Sequence, residues 1–195
     1  MTRLLHSTRP SDPAIQADLV SSLMDLARAS AGVANYCDHL EHCEAAQRED
    51  VASAAVVLRR VARELAALLE GDLLSLYASR LAAVEARSPL YPLEGFDVVD
   101  EVRRASTWFD LQRVQARHDR LYHLDVVGLQ KQDQLRHCAL HLAKLTGALA
   151  DAITDSSARD DFVGRRLPDL ILFSLKLNTL LGQRAEGPLD IPTLR

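Results

Sequence analysis

The stretch from Arg166 to Gly182, RLPDLILFSLKLNTLLG, decides the fold. Around Leu170, Ile171, Leu172, Phe173 and Leu175 it is apolar on nearly every side, so as a helix it must lie centrally, surrounded by other helices. The helical segment holding it is predicted from about Arg159 to Leu181. Pro168 falls in its first turn or two, where it either bends the helix or delays its start. Upstream, Leu135, Cys138, Leu142, Leu145 and Leu149 recur at spacings of three and four, the stripe of a helix running from Leu129 to Ile153.

Working outward, Asp125 to Leu129, with Gly128, is predicted as a loop. Val98, Val102, Ala105, Phe109 and Gln112 mark one long helix, capped by Asp97, carrying Trp108 and extending toward His118. Ser88-Pro89, Tyr91-Pro92 and Gly95 interrupt regular structure, because the residue before a proline is pushed out of the helical region. Three further helices precede this break. The first opens on Ser11, Asp12 and Pro13 and carries Leu19, Leu23, Leu26, Ser30, Val33, Cys37 and Leu40, with Gly32 softening its middle. The second, acidic at Glu49 and Asp50, carries Val51, Ala55, Leu58, Ala62, Leu65 and Leu69, and should pack antiparallel to the first. Asp72 caps the third, which runs to about Arg87. No strand pattern interrupts the series. The fold class is therefore all-α, a bundle of about six helices in a single domain over residues 1–195, with a subdomain break near 88–96.

Composition narrows the function. A chain of 195 residues with 48% hydrophobic content supports one sizeable core. A formal charge of -4, with both signs interspersed, offers no basic stripe for phosphate backbones, so nucleic acid is not an expected partner. No run approaches the roughly 18 apolar residues of a membrane span, and the N-terminal stretch has no apolar leader region. Cys37, Cys43 and Cys138 form no C-x-x-C pair and read as buried free thiols, which suits the cytoplasm.

Residues able to do chemistry concentrate late in the chain. Asp133, His137 and His141 are spaced by four, with His118, Asp119 and His123 just upstream. Imidazoles four apart share a helix side and can share a metal. His141, however, borders the apolar stripe while His137 lies farther round and Asp133 nearly opposite that stripe, so all three do not easily face one ion, and the motif lacks the glutamate of H-E-x-x-H. Hydrogen bonds between helices are the simpler reading of these groups. Cys37, His39, His42 and Cys43 scatter around a helix and read as a core position beside a solvated face. Asp160-Asp161 and Asp151 with Asp155 read as helix-end charges. No Gly-rich phosphate loop or G-x-S-x-G is present.

The last two helices resemble the core pair of the MazG-like, all-α nucleoside triphosphate pyrophosphohydrolases. Leu145-Thr146-Gly147-Ala148-Leu149 is similar to that family's E-V-G-E-L stretch, and Arg166-Leu167-Pro168-Asp169-Leu170-Ile171-Leu172 to its E-L-A-D-V-L-I stretch, over about a quarter of the chain. The resemblance implies a dimer and a Mg²⁺ centre built from E-x-x-E and E-x-x-D. Here Leu145, Ala148 and Arg166 stand at three of those positions, and only Asp169 remains acidic. One carboxylate does not hold two Mg²⁺ ions against a triphosphate, so the family's hydrolysis would need acids from elsewhere, such as Asp119, Asp133 or Glu101. Arg165, four residues before Asp169, can pair with it on the helix surface.

Three functions follow, in order of preference. The first is a non-catalytic interaction or regulatory module, a homodimer or a docking surface for another helical protein. The second is a MazG-like binder of a nucleotide or small phosphorylated ligand, with or without residual hydrolase activity, in a pocket of His137, His141, Lys144, Arg166 and Asp169. The third is a histidine-dependent metalloenzyme. The sequence names no cofactor and no catalytic residue.

Overall fold

The computed structural model describes residues 13–88 and 95–189. The described residues are helical, with one isolated bridge between Thr107 and Pro188 and no strand. The all-α reading holds. Ser11, Asp12 and most of the proline-rich break, including Pro89, Tyr91 and Pro92, lie outside the described residues. Among the described residues no helix is long and apolar enough to cross a membrane.

α1 (Pro13–Glu41) runs unbroken through Gly32 and packs antiparallel on α2 (Arg48–Leu68). Arg60 of α2 holds Asp25 of α1 at 2.8 Å, and Gly32 faces the first turn of α2 at Asp50. Of the predicted α1 stripe, Leu19, Leu26, Val33 and Cys37 are buried, joined by Ser22, Ala29 and Tyr36. The chain leaves α2 through Glu70, which adopts φ 54°. Asp72 then caps α3 (Leu73–Glu85) by accepting from the Ser75 amide.

The predicted long helix over Val98 to His118 is two helices. α4 (Val98–Arg104) ends where Ala105 turns extended, and α5 (Trp108–Tyr122) begins on a capping box. Thr107 Oγ1 accepts from the Asp110 amide at 3.1 Å, and Asp110 Oδ2 accepts from the Thr107 amide at 2.9 Å. Two of the four unpaired N–H groups at a helix start are thereby satisfied, which makes a restart at Thr107 favourable. The predicted loop before Leu129 contains a single helical turn, α6 (Leu124–Val127).

α7 (Lys131–Thr154) matches the fifth predicted helix. The sixth divides into α8 (Ser156–Asp161), a π-helical turn over Phe162–Arg166, and α9 (Leu167–Leu181). Pro168 accounts for the division. It has no N–H to donate and its ring crowds the carbonyl four residues back, so the preceding turn widens. Leu167 N–H accordingly reaches the Phe162 carbonyl, five residues back. Gly182 closes α9 at φ 66°, a conformation that glycine adopts without a Cβ penalty.

α9 is central, as its composition requires. It contacts α2, α3, α5 and α7, while α1 lies across α2 and α7. Leu167, Leu170, Ile171, Leu175 and Leu177 are fully buried. Each such side chain contributes about 1.5–3 kcal/mol by leaving water.

Candidate functional site

Four polar side chains of α9 enter this apolar environment, and three partners from neighbouring helices, Arg80, Arg59 and Asp119, meet them. Asp169 accepts from Arg80 of α3, at 2.7 Å from Nε and 3.3 Å from Nη2. Ser174 and Asn178 both accept from Arg59 Nη1 of α2, at 3.0 and 2.7 Å, and Ser174 donates onward to the Ala55 carbonyl. Lys176 Nζ stands 3.0 Å from Asp119 Oδ1 of α5. A buried charge without such a partner would cost several kcal/mol. The sequence of α9 thus fixes the positions of its neighbours.

The Lys176 pair opens on a cavity between α5, α6, α7 and α9. Gln115 Nε2 donates to the same Asp119 Oδ1 at 2.9 Å, and the Tyr77 hydroxyl donates to Gln115 Oε1 at 2.7 Å. Burial raises the Tyr77 phenol well above its usual range, so it acts as a fixed donor. Beyond Asp119 and Lys176 lies a space of about 140 Å³, walled by Ala116, Val126, Val127 and Leu180 and bordered by His137. A dry cavity of similar size in another protein, about 150 Å³, accepts benzene. Next to it, Leu124, Val127 and Leu129 are exposed, forming an apolar lip on and after α6.

His118, fully buried, lies one residue before Asp119. Its Nε2 is 3.3 Å from the Leu81 carbonyl, while its Nδ1 has no hydrogen-bond partner. Burial pushes its pKa down to about 4. Glu85 Oε1, 4.0 Å from His118 Nε2, is likewise without a partner. Burial, reinforced by Asp97, raises the Glu85 carboxyl to about 7. One ligand-type atom from each of His118, Asp119 and His123 lies within 4.8 Å of the other two.

None of the cavities described among the described residues is lined by all five residues of the predicted pocket. His137 and His141 are neighbours, with ring centroids 4.5 Å apart, and His141 stacks on Phe173 at 4.6 Å. Burial, then His137, then Lys144 lower His141 to about 4, and burial lowers His137 as well. Both rings are therefore neutral at physiological pH. Lys144 is exposed, and Arg166 is half-buried, 3.9 Å from Asp161. Asp169 sits in the core. Its carboxyl is raised by burial, which outweighs the opposing effect of Arg80. Only His137 of the five borders the cavity beside Asp119.

Several other expectations resolve simply. Asp133 turns away to Arg136, which also pairs with Glu41 of α1, so it does not join the two histidines. Arg165 binds Asp161 at 3.0 Å, leaving Asp169 to Arg80. Asp155 caps α8 by accepting from the Ser157 amide. His42 is mostly exposed and pairs with Asp38, and His39 lies 3.6 Å from Glu44. Cys37 and Cys138 are buried as predicted, but Cys43 is exposed, because α1 ends before it and it takes φ 56° in the following turn. Burial lifts the Cys138 thiol to about 12, which makes it a poor nucleophile beside His137.

Arg80, Lys176, Gln115 and Tyr77 are the polar groups that sequence reading missed. Lys176 and Asp169 carried a signal, since a charge within an apolar helix needs a partner. Those partners are distant along the chain, and no spacing rule identifies them. No known protein family, curated protein or solved structure matches the chain.

Proposed function

We propose that this protein is a non-catalytic helical interaction module that pairs with a second copy of itself. One observation carries the reading: the exposed lip of Leu124, Val127 and Leu129 adjoins a cavity large enough for one inserted apolar side chain. Three large apolar side chains exposed within six residues, next to a ready-made hole, form a hot-spot geometry, in which an anchor fills a pocket and its surroundings exclude water. The inward-facing charges support the same view, being engaged in holding helices together. A reducing compartment such as the cytoplasm suits the three unpaired thiols.

Sedimentation equilibrium tests the proposal. The wild type should run as a dimer at micromolar concentration, and Leu124→Asp with Leu129→Asp should give a monomer of unchanged helicity. A monomeric wild type, or a variant that remains dimeric, counts against the reading.

A second reading is favoured by the cations around His141. Lys144 and Arg166, from different helices, both depress its pKa and so lie within electrostatic reach of the same point. A phosphorylated ligand would be attracted there, as the likeness to MazG-like proteins implies. Asp169, the one acid matching that family's motif, is neutralised by Arg80, which favours binding over metal-dependent hydrolysis. Thermal stabilisation by a nucleotide panel, lost in Lys144→Ala and Arg166→Ala, would move this reading to the front.

A further inference from the structure

We propose that His118, Asp119 and His123 form a binding site for one divalent first-row transition-metal ion, zinc fitting best, at the corner between α5 and α6. One ligand-type atom of each residue lies within 4.8 Å of the others, with His118 and Asp119 buried and His123 half-buried. Bonds of about 2.0–2.2 Å in a tetrahedron place ligand atoms about 3.3 Å apart.

The buried histidine makes the geometry specific. His118 Nε2 faces the Leu81 carbonyl at 3.3 Å, an atom that can only accept, so Nε2 carries the hydrogen. Nδ1 is then left with a lone pair, no partner and no solvent, in a side chain with 0% exposure. An orphaned acceptor of this kind is costly in a structural histidine. For a metal ligand it is the required state, because ligating imidazoles are held by a hydrogen bond from the other ring nitrogen to a carbonyl or carboxylate. Glu85 Oε1, also without a partner, lies 4.0 Å from Nε2, beyond hydrogen-bonding distance, so the Leu81 carbonyl is the group that orients the ring.

The other two ligands are fixed with similar economy. Asp119 Oδ1 takes both Gln115 Nε2 and Lys176 Nζ, which leaves Oδ2 for an ion. His123 closes α5 through its amide on the Asp119 carbonyl at 2.9 Å, and its own carbonyl accepts from the amides of Val126 and Val127, the last two residues of α6. Two imidazoles and one carboxylate suit zinc and its neighbours better than Mg²⁺, which prefers oxygen throughout. Lys176 opposes the ion's charge, so the site should be of moderate affinity.

The test uses untagged full-length protein, stripped with a chelator and titrated with Co²⁺, whose visible absorption reports nitrogen and oxygen ligation. Wild type should bind one Co²⁺ per chain, displaced by Zn²⁺. His123→Ala should weaken binding by more than about tenfold, since loss of an outer partner alone costs about 10–100-fold. His137→Ala with His141→Ala should bind as wild type does. If His123→Ala fails to fold, His118→Gln replaces it, keeping a neutral polar side chain in the core. Absence of a Co²⁺ spectrum in folded wild type overturns the proposal, as does binding that survives loss of His123 or that disappears with the His137 and His141 pair.

Discussion

At the scale of single residues, the sequence revealed which side chains were chemically unusual but not what they touch. The four-residue spacing of His137 and His141 correctly implied adjacent rings, because a helix fixes that geometry locally. The same rule paired Asp169 with Arg165. The structure instead gives Asp169 to Arg80, 89 residues away, because α9 buries the face that carries Asp169 and a surface pair cannot follow it inward. A specific consequence follows for Arg80, whose side chain is 25% exposed while that of Asp169 is only 4% exposed. Arg80→Ala leaves a carboxylate in the core and should cost about 3–5 kcal/mol, whereas Arg80→Met with Asp169→Leu, which removes both charges, should recover most of the loss. Urea unfolding of wild type, single and double variants measures this. A single variant within about 0.5 kcal/mol of wild type would mean that Asp169 is protonated in the fold and gains little from Arg80.

At the scale of elements, long apolar stripes were legible and interruptions were not. α1, α2, α3 and α7 stand within a few residues of their predicted bounds, since each has one continuous stripe and a recognisable end. The long helix predicted across Ala105 failed because its apolar residues keep helical spacing on both sides of the break. The stop was written in the polar residues: Ser106-Thr107 followed by Asp110 is a start signal inside an apparently continuous pattern. Pro168 was legible as a disturbance, but its resolution as a π-helical turn depends on how α8 packs, which spacing does not encode. The capping box has a measurable weight. Thr107→Ala removes the acceptor of the Asp110 amide and should cost about 1 kcal/mol, up to about 2 if Asp110 also loses its place. Thr107→Ser should retain nearly all of the stability, since the hydroxyl is what accepts. Equal losses in the two variants would point to packing of the threonine methyl group in place of capping.

At the scale of the whole molecule, the question is whether the predicted break near residues 88–96 separates two units. The helices on either side of it interleave. α9, from the C-terminal side, packs on α2 and α3, and α1 from the N-terminal side lies along α7. The polar contacts cross the same divide: Arg59 binds Ser174 and Asn178, Arg80 binds Asp169, and Tyr77 leads through Gln115 to Asp119 and Lys176. If α1 to α3 melted first, they would strip α9 of the buried Arg59 and the partly buried Arg80 and leave Asp169 unpaired in a core opened on one side, which makes a half-unfolded state costly. Trp108, the single tryptophan, is buried at the start of α5 and reports on the C-terminal side, whereas far-ultraviolet circular dichroism reports on all helices. The two signals should therefore trace one transition in urea, with the same midpoint and slope, and calorimetric and van't Hoff enthalpies should agree. A dichroism change that precedes the Trp108 signal would instead divide the chain at the proline-rich segment. The contacts of α9 would then be too weak to couple the two halves, despite the two arginines that cross between them.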